Sequence, residues 1–315
     1  MNLSHAYGAP PPRQHAERVL LTAFDLGVRH FDTAALYGFG ANEELVGPVL
    51  KPHRQEILLA SKCGLTGVDG KRVIDGRPET LRRTCEDSLR RLQTEVIDLY
   101  TLHRWDRRIP IEESVGALKQ LQEQGKIRAI GLSEVSADTL RRAASVAPIA
   151  AVQTEYSLWT RNPEIAILEA CEELGAAFVA FSPVARGFLT DAALDPEAFA
   201  PNDIRRDMPR FWPPHLAKNL ELRARFQKLA RDAGVPASIL ALNWVIGRGE
   251  HVHVIPGTTS LEHLQQNIDA EAFDFPPDVL VSAELLFNQR TVSGPRYSPA
   301  AQASVDTEDF PPIHT

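Results

Sequence analysis

Cysteine is scarce in this chain. Cys63, Cys85 and Cys171 are the only three in 315 residues, and no two stand at C-x-x-C spacing. That excludes a cysteine zinc site and a disulfide framework, and points to a reducing, cytoplasmic setting. Long apolar runs are missing. None approaches the ~20 residues that a membrane span requires, and the start, MNLSHAYGAPPP, lacks the charged flank and apolar stretch of a secretory leader. There is no basic block either: the net charge of −7 is spread along the chain, giving no footing for nucleic acid or an anionic membrane. A complete glycine-rich dinucleotide fingerprint is also absent. Gly38-Phe39-Gly40 comes nearest, but Glu43 stands where the third glycine belongs, and no acid lies ~20 positions on.

What is present is an ordinary globular mixture, 43% hydrophobic and 24% charged, which argues against disorder. Short apolar runs recur at 28–33, 57–62, 97–103, 127–133, 149–154, 176–182 and 252–257. They are apolar nearly throughout, as parallel strands covered on both faces are. Amphipathic helices lie between them, for example Ile111, Val115, Leu118 and Leu121 on one face. Gly27, Gly125 and Gly175 each follow a helix and precede a strand, where a left-handed cap is wanted. Strand and helix in alternation mean βα units and a parallel sheet. An open doubly wound sheet would need the fingerprint this chain lacks. A (β/α)8 barrel fits better, because Asp32, Lys62, His103, Ser133, Gln153, Ser182 and Gly257 each mark the C-terminal end of a run, where barrel enzymes place their chemistry. The expectation is one barrel domain over 1–315, with a C-terminal extension from about 273 and lid-like connections at 63–77 and 184–215.

The first strand runs into FDTAALYGFGANEELVG, ending on Asp32 and handing over to Tyr37 among glycines. On a barrel, Asp32, Lys62 and His103 project from consecutive strand ends toward one mouth. A phenol with a pKa near 10 is a poor acid at neutral pH. A nearby ammonium lowers that value, and a carboxylate keeps the ammonium charged and oriented. So Asp32 holds Lys62, Lys62 tunes Tyr37, His103 orients a carbonyl or relays the proton, and the glycines let the loop present the phenol.

The motifs FDTAALYG…NEELVG, LASKCG, DLYTLHRWD, IGLSEVS, AVQTEYSLWTR, FSPVARGFLT and VIPGTTS…LQQNI follow one another, one per strand end. In that order the chain resembles the aldo-keto reductase superfamily, over nearly its whole length. It is most similar to the bacterial, plant and fungal branch that includes pyridoxal-reductase-like members. The resemblance implies Tyr37 as general acid, completed by Asp32, Lys62 and His103. It implies Ser133 and Gln153 holding the nicotinamide carboxamide, with Phe181 stacked on the ring. The dinucleotide would lie along Ser182, Pro183, Arg186 and Gly187, then along Gly257, Thr258, His263 and Asn267. The implied cofactor is NADPH. Relatives that prefer it carry Lys or Arg after the last strand, and Thr259 and His263 stand there in this chain, so NADH should be tolerated too. Arg186 and Arg248 are the alternative cations. The implied partner is a small carbonyl compound, and the pro-R hydride transfer is implied likewise.

Other readings remain on the table. A nicotinamide-binding regulatory subunit would have no need of the intact tetrad. A metal hydrolase built on Asp32, His103 and Asp106 lacks a second histidine at ligand spacing and leaves Tyr37 and Lys62 without roles. Thr259 with Glu262 reads as a capping box, on a helix whose N-terminus suits phosphate. Trp105 and Trp159 either line a substrate pocket or pack under the lid. Cys63 reads as a small buried hydrophobe. Finally, a closed barrel needs eight strands, and only the seven runs above are found. Relatives place an apolar strand and a hairpin just before the segment that opens this chain. The expectation is a truncated barrel with its first and last strands facing each other across a gap. The segment DVLVSAELLF, which could have filled it, has helical spacing.

Overall fold

The seven apolar runs form seven parallel strands whose order in space follows their order in the chain. In the computed structural model, which describes residues 1–68 and 70–311, these are β1 (His30–Asp32), β2 (Leu58–Cys63), β5 (Ile97–Leu102), β6 (Ile127–Ser133), β7 (Ala151–Glu155), β8 (Ala177–Phe181) and β9 (Val252–Val254). Two further strands, β3 (Leu65–Val68) and β4 (Lys71–Ile74), make an antiparallel hairpin inside the first lid-like connection. Helices α1 (Arg13–Asp25), α2 (Ala41–Leu50), α3 (Pro78–Leu92), α4 (Ile111–Glu123), α5 (Ala137–Ala144) and α6 (Ile167–Glu173) alternate with the strands. Between β8 and β9 lie α7 (Leu216–Asp232) and α8 (Ala237–Ile246). Helices α9 (Leu261–Asp269), α10 (Pro277–Leu286) and α11 (Pro299–Gln302) follow β9. Among the described residues no helix is long and apolar enough to cross a membrane.

Strand alternation sorts the side chains into two layers. Leu59, Tyr100, Leu102, Ile130, Leu132 and Phe178 face the helices in the large core. Small Ala60, Leu99, Ala151 and Val179 fill the inner face, with Ala129 against them. Two or four residues further along, the inner parity brings up polar side chains. Lys62 follows Ala60, Ser133 follows Ala129 by two steps, Gln153 follows Ala151, and His103 follows Leu99 by two steps. Pairing registers align them: Asp32 opposes Ala60, Lys62 opposes Thr101, and Ser133 opposes Gln153.

The sheet curls but does not close. Strand β1 pairs only with β2, and β9 only with β8. Among the described residues no strand joins these edges, as the count of runs predicts. Both edge strands span three residues, shorter than the 28–33 and 252–257 expected from sequence, because an edge without a second partner supports less ladder. DVLVSAELLF is the helix α10, packed on α7. The cap of α9 differs from the expected Thr259–Glu262 box. Ser260, with extended backbone, is the cap, and its Oγ accepts the His263 N–H at 3.3 Å. Thr259 lies one residue too early, and its carbonyl instead meets His15 Nε2 at 2.7 Å.

Candidate active site

Strand β1 delivers Asp32 to the inner face, and the chain then turns back over it. Thr33 N–H continues the ladder to the Ala60 carbonyl at 2.9 Å. The turn at Tyr37–Gly40 has positive φ at Gly38, Phe39 and Gly40, which explains the glycines flanking the tyrosine. Gly38 N–H donates to His5 Nδ1 at 3.2 Å, and Asn42 ties the turn to α2 by accepting from Thr33 Oγ1 at 2.7 Å. Behind the site, Glu43 is fully buried. It accepts from Ser61 Oγ at 2.5 Å and pairs with Arg91 at 2.6 Å, so α2 is anchored to β2 beside Lys62.

Lys62 is fully buried, and its ammonium has a partner for each of its three N–H groups. It donates to Asp32 Oδ1, to the Thr33 carbonyl at 2.8 Å and to the Tyr37 hydroxyl at 3.2 Å. The other Asp32 oxygen accepts from Gln153 Nε2 at 2.9 Å. Burial opposes the ammonium, but Asp32 and then Tyr37 outweigh it and hold the Lys62 pKa above its ordinary value. Tyr37 corrects an expectation. Burial raises its pKa above that of an ordinary phenol, and Lys62 opposes the rise without overcoming it. His103 stands edge-on to Tyr37, with ring centroids 5.8 Å apart and planes at 84°. Burial pushes its pKa well below the ordinary imidazole range, and the Arg104, Lys62 and Arg72 cations push it further. It is neutral at pH 7, and its Nδ1 has no partner among the described residues. A neutral imidazole still carries one ring N–H with which to hydrogen-bond a carbonyl.

Asp32, Tyr37 and His103 line a cavity of about 1550 Å³ that runs on into the gap between β1 and β9. Ser133, Gln153 and Phe181 line it from β6, β7 and β8. Ser182, Pro183, Arg186 and Gly187 follow, in a turn where Ser182, Ala185, Arg186 and Gly187 all have positive φ. Gly257, Thr258, His263 and Asn267 line the far end near α9. One groove thus brings together Ser133, Gln153, Phe181, the 182–187 turn and Gly257, Thr258, His263 and Asn267, while Thr259 and Arg248 are not among the residues that line it. The fit is good: the groove is continuous, bordered by backbone turns and by a helix N-terminus at its far end. Two qualifications come from geometry. Gln153 already gives its amide N–H to Asp32, and the Arg186 side chain is buried in an ion pair with Glu155 at 2.7 Å. Arg248 is likewise engaged, with Glu284 at 3.3 Å.

Trp159 resolves to packing, stacked on Phe188 with centroids 4.4 Å apart. Trp105 is tied to the Ile109 carbonyl at 2.8 Å and lies under Arg142. Cys63 is fully buried, and burial raises its pKa. Among the described residues no group of three or more His, Cys, Asp or Glu side chains could hold a metal ion.

Several neighbours escaped the sequence reading. His5 sits 5.6 Å from the Tyr37 ring, and Arg104 and Arg72 border the mouth. Glu134, directly after Ser133, is buried against Arg296, which donates to it at 3.1 Å and through a second, shorter bond. The adjacent Tyr297 lines the cavity. Both ends of that pair lie in motifs noted above or in the tail GPRYSP, but no local pattern announces that they meet.

Comparison with known proteins agrees with this geometry. The Aldo/keto reductase family profile matches residues 1–284. A Glycine max protein named "Probable aldo-keto reductase 1" is 45% identical over 276 residues, covering 86% of this chain and 79% of its own. "Aldo-keto reductase yakc [NADP(+)]" of Schizosaccharomyces pombe is 38% identical over 316 residues, covering 98% of this chain and 93% of its own. Among solved structures, the glycerol dehydrogenase AKR11B4 from Gluconobacter oxydans superposes with a TM-score of 0.82 at 32% identity, over 92% of this chain and 90% of that one. On the strength of profile, relatives and fold together, the chain belongs to the aldo/keto reductase family.

Proposed function

We propose that the protein reduces an aldehyde or ketone to an alcohol with NADPH, and that Tyr37 is the general acid. The observation that carries this reading is Lys62, whose buried ammonium bonds at once Asp32 and the Tyr37 hydroxyl, the two residues through which it meets the long groove. A nicotinamide cofactor bound in that groove would supply the hydride, since no side chain of the chain can reduce a carbonyl. Ser133 and Gln153 would hold its carboxamide, Phe181 its ring, and the 182–187 turn with Thr258 its phosphates. NADPH is favoured because the yeast relative is named for NADP(+).

In this reading the substrate oxygen sits between the Tyr37 hydroxyl and the neutral His103. His103 orients the carbonyl by one hydrogen bond. As negative charge grows on that oxygen, Tyr37 gives up its proton, and the Lys62 ammonium beside it stabilises the phenolate left behind. Asp32 balances the ammonium and fixes its direction. The raised Tyr37 pKa keeps the phenol protonated at neutral pH, and the ammonium matters at the moment of transfer.

The test is NADPH consumption with a panel of aldehydes. Tyr37→Phe keeps the ring but removes the acid, so reduction should fall by roughly 10²–10⁴ while NADPH binding persists. A Tyr37→Phe enzyme with most of its activity would overturn the assignment. NADPH binding without turnover of any carbonyl would favour a regulatory subunit instead.

A further inference from the structure

The catalytic end of the cavity carries an uneven charge pattern. Its wall holds Leu65, Ile74 and Met208, the rings of Tyr37 and Tyr297, and two guanidinium groups, Arg72 and Arg104. Arg72 lies on β4, opposite Gly67 of the hairpin that overhangs the mouth. Arg104 follows His103. Its Nη1 donates to the His103 carbonyl at 2.6 Å and reaches Ser133 Oγ at 3.4 Å. An arginine has five N–H donors, and among the described residues Nε and Nη2 of Arg104 bond nothing. Arg72 donates to nothing among them at all. Neither forms an ion pair there, in contrast with Arg186, Arg205 and Arg296, each matched to its own carboxylate.

The acids nearby do not balance these cations. Asp32 is committed to Lys62 and Gln153. Asp207, exposed beyond the lid turn, attracts Arg72 but lies outside ion-pair distance. Arg104 and Arg72 repel one another through the cavity, and both act on His103. Two unmatched cations facing one space, beside apolar walls, make a receptor for an anion on a partly apolar body.

Resting on the carbonyl-reductase reading above, we infer that the substrate carries an anionic group, a carboxylate or a phosphate, held by Arg104 and Arg72 while its carbonyl faces Tyr37. The same pair would disfavour cationic carbonyl compounds, which would meet two like charges.

Three aldehydes of one shape test this: 4-carboxybenzaldehyde, 4-formylphenyl phosphate and the neutral methyl 4-formylbenzoate. With NADPH and the full chain, at least one anion should exceed the ester in kcat/KM by about 10- to 100-fold, the scale of hydrogen bonds to charged groups. The better anion identifies the source, carboxylate or phosphate. Arg104→Met and Arg72→Met should each collapse the anion-to-ester ratio, Arg104→Lys should restore part of it, and salt should erode it. An ester reduced as well as both anions would overturn the inference, as would a ratio unmoved in the two methionine variants. Calorimetric binding of benzoate against benzamide gives a readout free of turnover. Benzoate should bind at least ~10-fold tighter, and that advantage should vanish in Arg104→Met. If benzoate shows its advantage while no aldehyde is reduced, the anion site stands and the reductase reading falls. If the ester is reduced as well as both anions and benzoate shows no advantage, the reverse holds.

Discussion

Replacing Arg296 with methionine isolates what fastens the C-terminal tail to the catalytic face. The Glu134 side chain is 0% exposed and that of Arg296 7% exposed. The carboxylate accepts two bonds from the guanidinium and one, at 3.0 Å, from the Glu155 N–H. Without Arg296, a buried carboxylate keeps a single donor. Breaking a buried pair by removing one partner costs about 3–5 kcal/mol, because the remaining charge is uncompensated. The surrounding tail is held independently by Asp306, which accepts from Ser136 N–H, Ser136 Oγ and Thr139 Oγ1 at 3.2, 3.0 and 2.6 Å. Urea unfolding of Arg296→Met should therefore show a loss of that size. Adding Glu134→Gln removes the stranded charge, so the double variant should be more stable than Arg296→Met alone. A single-variant loss below about 0.5 kcal/mol, the scale of an ordinary surface substitution, would refute the reasoning. So would a double variant less stable than the single.

Acid should destabilise the protein through its buried imidazoles. Burial lowers the pKa of His103 well below the ordinary value, that of His30 below it, and that of His5 to about 4. The unfolded chain takes up protons near pH 6.5 where the native chain does not, so stability present above about pH 6.5 should fall as pH drops toward 5. A melting temperature flat across that window would contradict this. Gly47→Ala should cost about 1–3 kcal/mol by overpacking, because its Cβ would lie 2.4 Å from the Leu92 carbonyl and force α2 off α3; an unchanged urea midpoint would refute it. For coenzyme choice, His263 is exposed on the first turn of α9, while Arg186 and Arg248 are engaged with Glu155 and Glu284. NADPH should therefore be only modestly preferred over NADH, and His263→Arg should raise that preference by about 10-fold in the ratio of KM values. A wild-type preference of roughly several hundredfold would mean that another cation meets the 2′-phosphate.

Asp32, Lys62 and His103 were legible in the sequence for a reason that does not depend on tertiary detail. Each ends an apolar run whose length and composition make it a parallel strand, and strand ends in such sheets face a common mouth. The count of strands in the parallel sheet was legible too, because an apolar run of that kind has no other home, and the open edges of β1 and β9 follow from the count. Where a side chain's role depended on a distant neighbour, the sequence was silent. Ser260 caps α9 in place of Thr259 because the backbone turns extended one residue later than the pattern suggests. The Tyr37 pKa moves up because desolvation exceeds the pull of Lys62, a balance of depth against distance that residue order does not carry. Glu134 and Arg296 stand 162 positions apart, and only the returning tail brings them together. Arg72 and Arg104 share one cavity because a hairpin folds back over the mouth. Local periodicity decides which residues reach the mouth of the sheet; the path of lid and tail across that mouth decides which charges they find there.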